Sequence, residues 1–436
     1  MKHKTVNCLN IFFIPVIIAL IGWGLFSLSY CLPADVIRSH MAESVHCISD
    51  DAFYLNWIKG NATARNDEWS EGEIMLITVC PTDPAEALTA PLKLMSIGVA
   101  DSESDLPADQ LAVYLSDPDA SVTYGSNNRY WNGLVMVLKF LFMIFNLEEI
   151  RLLNMFTQLS LLGILFFQMG RQNLRLEMPV IVLILYIMNP ASMMMSIKFI
   201  PEYIIALLGS IFILRQDDSR LSSQYRTAVI FTVIGACTSF FNMLSFPLIS
   251  LGIPMLFYIW KSRDKGKPML RNVLTGMLAW FTGYMICWAC KWVACSLFTD
   301  ENLLADAFNR ARSYHEVDED FLATALRCLR IFNVPVHKLL FVSVFAWNCI
   351  QTARHKHQPA KQSIPLLLAY ASLFFIPYLF FAVFGPGYAY VHYFMAYRNL
   401  SFSFGAVLCI PFCFIDSSNE KNKSGLDRQS QSAGHF

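Results

Sequence analysis

The sequence predicts an all-α polytopic membrane protein with about 10 transmembrane helices, a large first extracytoplasmic loop and an interfacial helix. Of its 436 residues, 55% are hydrophobic and only 15% are charged, whereas soluble domains carry about 25% charged residues. Long apolar runs recur from one end of the chain to the other, and many approach the ~20 residues that cross a bilayer as a helix. The basic residues gather in the short segments between these runs, as expected of connecting loops.

The first apolar run extends from Ile11 to Tyr30. It is longer than the ~7–15 residue core of a secretory signal peptide, and bulky Tyr30 stands where a cleavage site needs a small residue. We therefore expect an uncleaved first helix. The ten expected spans lie near residues 9–31, 149–170, 177–196, 198–215, 227–245, 246–261, 271–297, 338–353, 363–384 and 396–416.

These spans divide the chain into six parts. The expected parts are a first transmembrane helix in 1–31, an extracytoplasmic loop domain in 32–148, transmembrane helices 2–7 in 149–297, a second extracytoplasmic loop in 298–337, transmembrane helices 8–10 in 338–416 and a disordered cytoplasmic tail in 417–436. The tail is assigned on composition, because it is polar and has few apolar residues.

Charge sets the expected orientation of these spans. Residues 32–128 carry sixteen Asp or Glu against four Lys or Arg, and with ten spans they lie on one side of the membrane. The basic loops between spans, together with Lys2 and Lys4, all lie on the other side. The positive-inside rule then predicts a multi-pass protein of the cell membrane with both termini in the cytoplasm.

Two segments are expected to lie along the outer membrane surface. Residues 129–147 are apolar enough to form a span, but counting them as one would place the later basic loops outside. We therefore predict an interfacial helix there, with Lys139 extending its ammonium to the headgroups. Residues 298–337 are charged and have a helical apolar pattern, which predicts a second surface-lying segment.

The segment SDDAFYLN, residues 49–56, holds the candidate catalytic residues Asp50 and Asp51. In one interpretation Ser49 or Asp50 caps a helix beginning near Asp51, where a first-turn carboxylate suits the helix dipole. Asp51 and Tyr54 then share a helical face. In the other interpretation, Asp51 is a catalytic base at the membrane surface. The local sequence leaves both interpretations open.

Other polar groups recur at the same predicted outer boundary. The candidate substrate-binding residues are Arg129, Trp131, Lys291, His392 and Arg398, with Tyr54 of the first loop. An unpaired charge at the depth of Lys291 costs a few kcal/mol, so such a group needs a partner or a water-filled cavity. A structural role for His392 and a snorkelling side chain for Arg398 are the alternatives. Lys198 and Glu202, four residues apart, are expected to pair with each other.

This combination of groups suits one chemistry well. A lipid-linked sugar phosphate presents its phosphate at headgroup level, where cations neutralise the departing group. A carboxylate such as Asp51 takes the proton from an acceptor hydroxyl.

Several other functions are disfavoured by the sequence. It has no glycine-rich phosphate loop or dinucleotide fingerprint, and its basic residues form no patch for nucleic acid. Cys287 and Cys290 lack a second pair of ligands, so no metal site and no cofactor is predicted, and the role of a divalent metal is left open. Cys47 and Cys80 share the first loop, and a disulfide between them depends on an oxidising compartment.

Five separated blocks of the chain resemble a family of uncharacterised bacterial multi-pass membrane proteins. The blocks are SDDAFYLN, NRYWNGLVMVLKFLFMIFNLEEIRLLN, CTSFFNMLSFPLISLGIPM, GYMICWACKWVACSLFTDENLLADAFN and YVHYFMAYR. The resemblance covers nearly the whole chain apart from the tail. That family in turn looks like the GT-C-type glycosyltransferases, which have many spans and a large first outer loop bearing an essential acid.

The resemblance carries roles over to particular positions. It implies that Asp51 is the essential acid, that Arg129 and Trp131 belong to the aromatic interface helix, and that Lys291 and His392 are outer polar positions. Two positions depart from the family pattern. Asn132 stands where His is expected and Asn242 where Asp is expected, and an amide cannot act as a general base.

Three functions are therefore weighed. The first is a glycosyltransferase that takes a sugar from a polyprenyl-phosphate donor within membrane lipid and transfers it to a cell-envelope acceptor on the outer face. The second is a transporter or flippase of an envelope precursor, which would need polar groups along a path at mid-depth. The third is a non-catalytic membrane scaffold, in which Asp50 and Asp51 are only helix caps.

Overall fold

The computed structural model describes residues 2–47, 61–100, 104–117, 119–300, 303–315, 321–355, 360–384 and 386–415. The predicted disordered tail therefore lies outside the described residues. The first six helices are α1 Lys2–Ser29, α2 Ala34–Ala42, α3 Glu68–Val79, α4 Ala90–Lys93, α5 Pro107–Ser116 and α6 Leu134–Leu141. The next eight are α7 Leu147–Arg171, α8 Met178–Ile187, α9 Pro190–Met195, α10 Ile200–Arg215, α11 Asp218–Leu221, α12 Gln224–Phe241, α13 Ile249–Ser262 and α14 Lys267–Phe298. The last seven are α15 Leu303–His315, α16 Phe321–Arg330, α17 Pro335–Arg354, α18 Ala360–Phe384, α19 Pro386–Val391, α20 Tyr393–Ala396 and α21 Ser401–Leu408.

The fold is that of a helical membrane protein, but the predicted count of about ten spans is not confirmed. Among the described residues, four helical stretches are long and apolar enough to cross a membrane: Leu9–Ser29, Leu147–Arg171, Pro268–Phe298 and Ser363–Val383. A fifth is obtained if α16 and α17, bent by 87° at the break between them, form one broken span.

Breaks in the backbone explain why fewer helices are long enough. Asn189 has a left-handed φ of 62° and is followed by Pro190, so the predicted span 177–196 divides into α8 and α9. Leu244 also has a φ of 62° and lies between α12 and α13. A non-glycine residue in this region of φ/ψ space ends a regular helix. A hydropathy profile does not detect such a break, because it depends only on the polarity of the side chains.

The loop domain, residues 32–148, contains strands as well as helices. Strand β1, Met95–Val99, pairs antiparallel with β2, Val122–Ser126, and Ile97 lies opposite Tyr124. The all-α prediction is therefore incomplete. The sheet packs on α3 and α5, and its buried Ile97 joins a hydrophobic core shared with α1, α6 and the C-terminal part of α14. A second core gathers the apolar faces of most helices from α7 to α21.

Close contact between α12 and α14 depends on two glycines. A Cβ atom on Gly235 would lie 2.1 Å from the Trp280 carbonyl oxygen, and one on Gly283 would lie 2.3 Å from the Thr232 carbonyl oxygen. Helices in a bilayer gain stability from such close backbone approach, because lipid provides no hydrophobic drive for their association.

The segment predicted to be an interfacial helix forms only the short helix α6. Lys139 is 3% exposed, and its Nζ donates to the Thr78 carbonyl oxygen at 2.8 Å. The ammonium also lies 4.3 Å from the centroid of the Tyr30 ring. The prediction that Lys139 extends to the headgroups is therefore wrong, because α6 packs against α1 and α3 and the lysine fastens α6 to the end of α3.

Candidate functional site

Two buried ion pairs attach the start of α3 to the membrane helices. Lys198 Nζ lies 2.5 Å from Asp67 Oδ2, and both side chains are less than 10% exposed. Arg151 Nη2 lies 3.2 Å from Glu71 Oε2. Asp67 also caps α3 by accepting a hydrogen bond from the Ser70 backbone N–H at 3.1 Å. These pairs hold residues 61–71 against α7 and the α9–α10 turn.

The predicted pairing of Lys198 with Glu202 is not what the structure contains. Lys198 lies before α10 begins at Ile200, so the four-residue helical spacing does not place it over Glu202. Its ammonium donates instead to Asp67 and to the Ser70 hydroxyl, the latter at 2.9 Å. Glu202 is fully buried in the first turn of α10.

Glu68 is a buried carboxyl group beside both ion pairs. It is 1% exposed, and neither of its carboxylate oxygens has a hydrogen-bond partner among the residues that the structure describes. Burial raises the pKa of Glu68 to about 8, the nearby Glu71 carboxylate adds to the rise, and Arg151 opposes it. For Asp67, burial acts in the same direction, but the Lys198 ammonium outweighs it and holds that pKa below its usual value. Glu68 is therefore protonated at neutral pH beside an ionised Asp67.

An open cleft of about 470 Å³ lies where residues 61–62 meet α16 and α20. The residues that line it are Asn61, Ala62, Arg327, Arg330, Ile331, Val334 and Tyr393. The Arg327 guanidinium lies over the Tyr390 and Tyr393 rings, 4.0 and 4.3 Å from their centroids. Within the described ranges, no carboxylate lies within ion-pair distance of Arg327 or Arg330. Two guanidinium groups facing an open cleft are an arrangement suited to binding an anion such as a phosphate.

None of the sequence-predicted site residues lines this cleft. Asp50, Asp51 and Tyr54 lie outside the described residues. The side chains of Arg129, Trp131, Lys291 and Arg398 form hydrogen bonds within the protein. The His392 ring packs 5.7 Å from the Tyr388 ring. The predicted roles of these residues in binding substrate stay predictions. His392 immediately precedes α20, beside the cleft residue Tyr393.

Three of the predicted residues lie in one region near the C-terminal part of α14. Arg129 Nε lies 2.6 Å from Asp306 Oδ2 in an ion pair. Trp131 donates its indole N–H to the Cys287 carbonyl oxygen at 2.8 Å. Lys291 is fully buried, its Nζ lies 5.3 Å from the Trp131 ring centroid, and it donates to the Leu92 carbonyl oxygen at 2.8 Å. This group attaches the loop domain to α14.

Arg398 connects three distant parts of the chain. Its fully buried guanidinium donates to the carbonyl oxygens of Met188, Phe394 and Thr63 at 3.1, 2.9 and 3.2 Å. The Cζ atom of this guanidinium lies 4.6 Å from the centroid of the Phe199 ring. Because Thr63 follows the cleft residues Asn61 and Ala62, Arg398 positions one wall of the cleft.

Replacing Arg398 with lysine is expected to lower the free energy of unfolding by about 2 kcal/mol. A lysine keeps the charge but cannot direct planar N–H groups at three separate carbonyl oxygens, so buried acceptors lose their donors. The measurement is thermal unfolding in detergent. Arg354→Lys, at an exposed position near the end of α17, is the matched control and should change stability by less than about 0.5 kcal/mol. Equal stability of the two variants would contradict this role.

One group of described side chains has the donor atoms for a metal ion. His46, Cys47 and Glu148 each offer a ligand atom, and these atoms all lie within 4.8 Å of one another. Cys47 and Cys80 are both free thiols rather than a disulfide.

Comparison with known proteins identifies no relative. No protein-family model matches the chain, and no curated protein or solved structure matches it. The fold and the cleft therefore define the molecule only as a helical membrane protein with an arginine-lined cleft beside a buried ionic network.

Proposed function

We propose that this chain is a GT-C-like integral membrane glycosyltransferase. It takes a sugar from a polyprenyl-phosphate donor on the outer face of the cell membrane and transfers it to a cell-envelope acceptor. The observation that carries this proposal is the cleft with Arg327 and Arg330, whose guanidinium groups are available to a phosphate.

The position of the cleft supports a ligand that is partly lipid. Ile331 and Val334 line the cleft and also lie in the break of 87° between α16 and α17. A break at the end of an apolar helix is suited to headgroup level, where a lipid-linked phosphate resides. Leu326 and Val336, on either side of the break, are 45% and 49% exposed and offer an apolar surface to a polyprenyl chain.

The chemistry assigns separate roles to the acid and the cations. Asp51 accepts the proton of the acceptor hydroxyl as that oxygen attacks the sugar C1 atom. The bond between C1 and the phosphate oxygen breaks, and Arg327 and Arg330 neutralise the charge that develops on the departing phosphate. Asp51 precedes the cleft residue Asn61 by ten positions in the sequence. Of the predicted ligands, Arg398 is assigned the lesser role of positioning one wall of the cleft, whereas Arg129 and Lys291 hold the loop domain in place.

The orientation in this proposal follows from the loop charges. The acidic loop domain faces outward, and both termini lie in the cytoplasm. A reporter fused after Gln168, near the end of α7, should then lie in the cytoplasm. An outward location of that reporter would overturn the orientation.

Two substitutions at the cleft and one upstream of it test the function. In vesicles that contain lipid-linked sugars, Asp51→Asn is expected to abolish transfer without changing protein abundance. Arg327→Ala and Arg330→Ala should each weaken binding of a polyprenyl phosphate by roughly 10–100-fold, because each removes charge-assisted hydrogen bonds worth about 1.5–3 kcal/mol. The readouts are a labelled glycan product and competition by the sugar-free polyprenyl phosphate.

The matched control is Arg220→Ala, since Arg220 is exposed and pairs with Asp217 three positions away. It should leave both transfer and binding unchanged. Retained transfer by Asp51→Asn would remove that acid from the mechanism. Unaltered binding by both cleft variants would place the phosphate elsewhere.

A transporter or flippase is the second candidate, and Glu68 is the observation that favours it. A buried carboxyl group that exchanges a proton near neutral pH is a recurring part of proton-coupled transport. Uptake of an envelope precursor into vesicles without any covalent product would favour this candidate over the transferase.

A further inference from the structure

His46, Cys47 and Glu148 form a compact set of three different donor atoms on two segments of the chain. His46 Nε2 lies 3.5 Å from Glu148 Oε1, Cys47 Sγ lies 3.7 Å from His46 Nε2, and Cys47 Sγ lies 3.1 Å from Glu148 Oε1. The first two residues belong to a short 3-10 helix, Val45–Cys47, and the third lies in the first turn of α7.

These separations match the edges of one face of a tetrahedron around zinc. Zinc bonds of about 2.0–2.3 Å to nitrogen, oxygen and sulfur place neighbouring ligand atoms about 3.3–3.6 Å apart in tetrahedral geometry. The shortest observed separation, between Cys47 and Glu148, needs to open by only about 0.5 Å. An imidazole, a thiolate and a carboxylate are all ligands that zinc accepts.

The two segments that carry these atoms are held together independently of any ion. The Leu147 backbone N–H donates to the Ser44 hydroxyl at 2.7 Å, and Arg151 Nη1 donates to the Cys47 carbonyl oxygen at 2.9 Å. The start of α7 is fixed by a capping box between Asn146 and Glu149. The ligand atoms therefore come together because the backbone holds them there, and little order has to be created when a metal binds.

Charge and exposure also suit a divalent ion. The Cys47 thiolate and the Glu148 carboxylate together balance its two positive charges. A neighbouring cation, Arg151, directs one guanidinium nitrogen to Glu71 at 3.2 Å and another to the Cys47 carbonyl oxygen. The His46 and Glu148 side chains are 71% and 60% exposed, so the ion has a path from solvent and a face for a water ligand.

We propose that His46 Nε2, Cys47 Sγ and Glu148 Oε1 bind a zinc ion whose fourth position is open to water. The ion replaces the proton of the Cys47 thiol, which is released to solvent. The site joins the segment that precedes Asp50 to the first turn of α7, so binding also fastens that segment to a candidate span. The proposal is independent of the transferase function.

Titration of the purified full-length protein with Co²⁺, followed by displacement with Zn²⁺, tests this site. Co²⁺ reports its ligands, because a thiolate gives a charge-transfer absorption band and tetrahedral geometry gives strong visible bands. One equivalent of Co²⁺ should produce both features, and Zn²⁺ should remove them. Cys47→Ser should remove the thiolate band. His46→Ala and Glu148→Gln should each weaken metal binding by at least about 100-fold. Loss of a residue that only hydrogen-bonds to a metal ligand already lowers metal affinity by about 10–100-fold, and these two residues are direct ligands.

Cys31→Ser is the matched control, because Cys31 is also a free thiol and is exposed, and it should leave the spectrum unchanged. Absence of a thiolate band in the native protein, or its persistence in Cys47→Ser, would overturn the proposal. If Cys47→Ser does not fold, X-ray absorption of the zinc-loaded native protein decides the question. A zinc coordination shell with one sulfur atom and otherwise nitrogen or oxygen atoms supports the site. A coordination shell without sulfur contradicts it.

Discussion

Replacing Lys198 with methionine is expected to lower the free energy of unfolding by about 3–5 kcal/mol, the largest effect that we predict. Methionine has an unbranched side chain of similar length to that of lysine, but it carries no charge. The Asp67 carboxylate therefore stays buried without its cation. Breaking a buried ion pair on one side is costly, because the remaining charge has lost its partner and stays out of water. Ser70 hydrogen-bonds to the same carboxylate, but its neutral hydroxyl cannot replace the ammonium. The measurement is thermal unfolding of the purified protein in detergent.

Two comparison variants separate burial of the charge from loss of packing. The double variant Asp67→Asn with Lys198→Met removes both charges and should recover a large part of the lost stability. Lys93→Met removes a lysine whose partner Glu86 is 59% exposed, and it should cost less than about 1 kcal/mol. If Lys198→Met and Lys93→Met were equally stable, the Asp67–Lys198 pair would have no structural role.

Glu68→Gln is expected to make the protein less sensitive to alkaline pH. The pKa of Glu68 is raised from 4.5 to about 8 by burial, so between these values the folded protein binds a proton that the unfolded chain releases. Stability therefore falls as the pH rises through this window, by about 3 kcal/mol between pH 5 and pH 8. Glutamine has nearly the shape of the protonated acid but cannot ionise. The variant should match the native protein at pH 5 and exceed its stability at pH 8.

The measurement is a series of unfolding curves from pH 5 to pH 8. Glu43→Gln, at an exposed position after α2, is the matched control and should follow the native protein throughout. A native protein whose stability does not fall over this range, or a Glu68→Gln variant that falls in parallel with it, would contradict the raised pKa.

The long helices were predictable because their apolar runs are uninterrupted. The predicted spans near 149–170, 271–297 and 363–384 correspond to α7, the apolar part of α14 and α18. The shorter helices were not predictable, because the hydropathy of a segment is averaged over many residues and hides a backbone break such as Asn189–Pro190. The strands β1 and β2 are five residues each, and one partly buried pair of such short strands leaves too brief an alternating pattern to detect.

The candidate site was harder to predict because its contacts join distant parts of the sequence. Arg398 was predicted from its depth in the membrane to bind a phosphate or to snorkel. Its carbonyl partner Phe394 is only four residues away, but the partners at positions 188 and 63 lie 210 and 335 positions away, where no local pattern connects them to Arg398. Lys198 was given the wrong partner because helical spacing was applied to a residue outside the helix.

Other signals were present in the sequence but were not used. The segment NDEWSEGE, residues 66–73, places four acids in one stretch before an apolar run, and it was treated only as part of the acidic loop. Arg327 and Arg330 are three residues apart in α16, so a helical reading of that segment places them on one face. Sequence periodicity was sufficient to find this face, although not the cleft that it lines.

The bond from Arg398 to the Thr63 carbonyl oxygen spans 335 positions of the chain, and this separation has a consequence for biosynthesis. A ribosome makes Thr63 long before it makes Arg398, so a nascent chain halted before residue 398 lacks the donor that fixes this wall. This wall of the cleft is therefore completed only after the segments between the two positions have been synthesised.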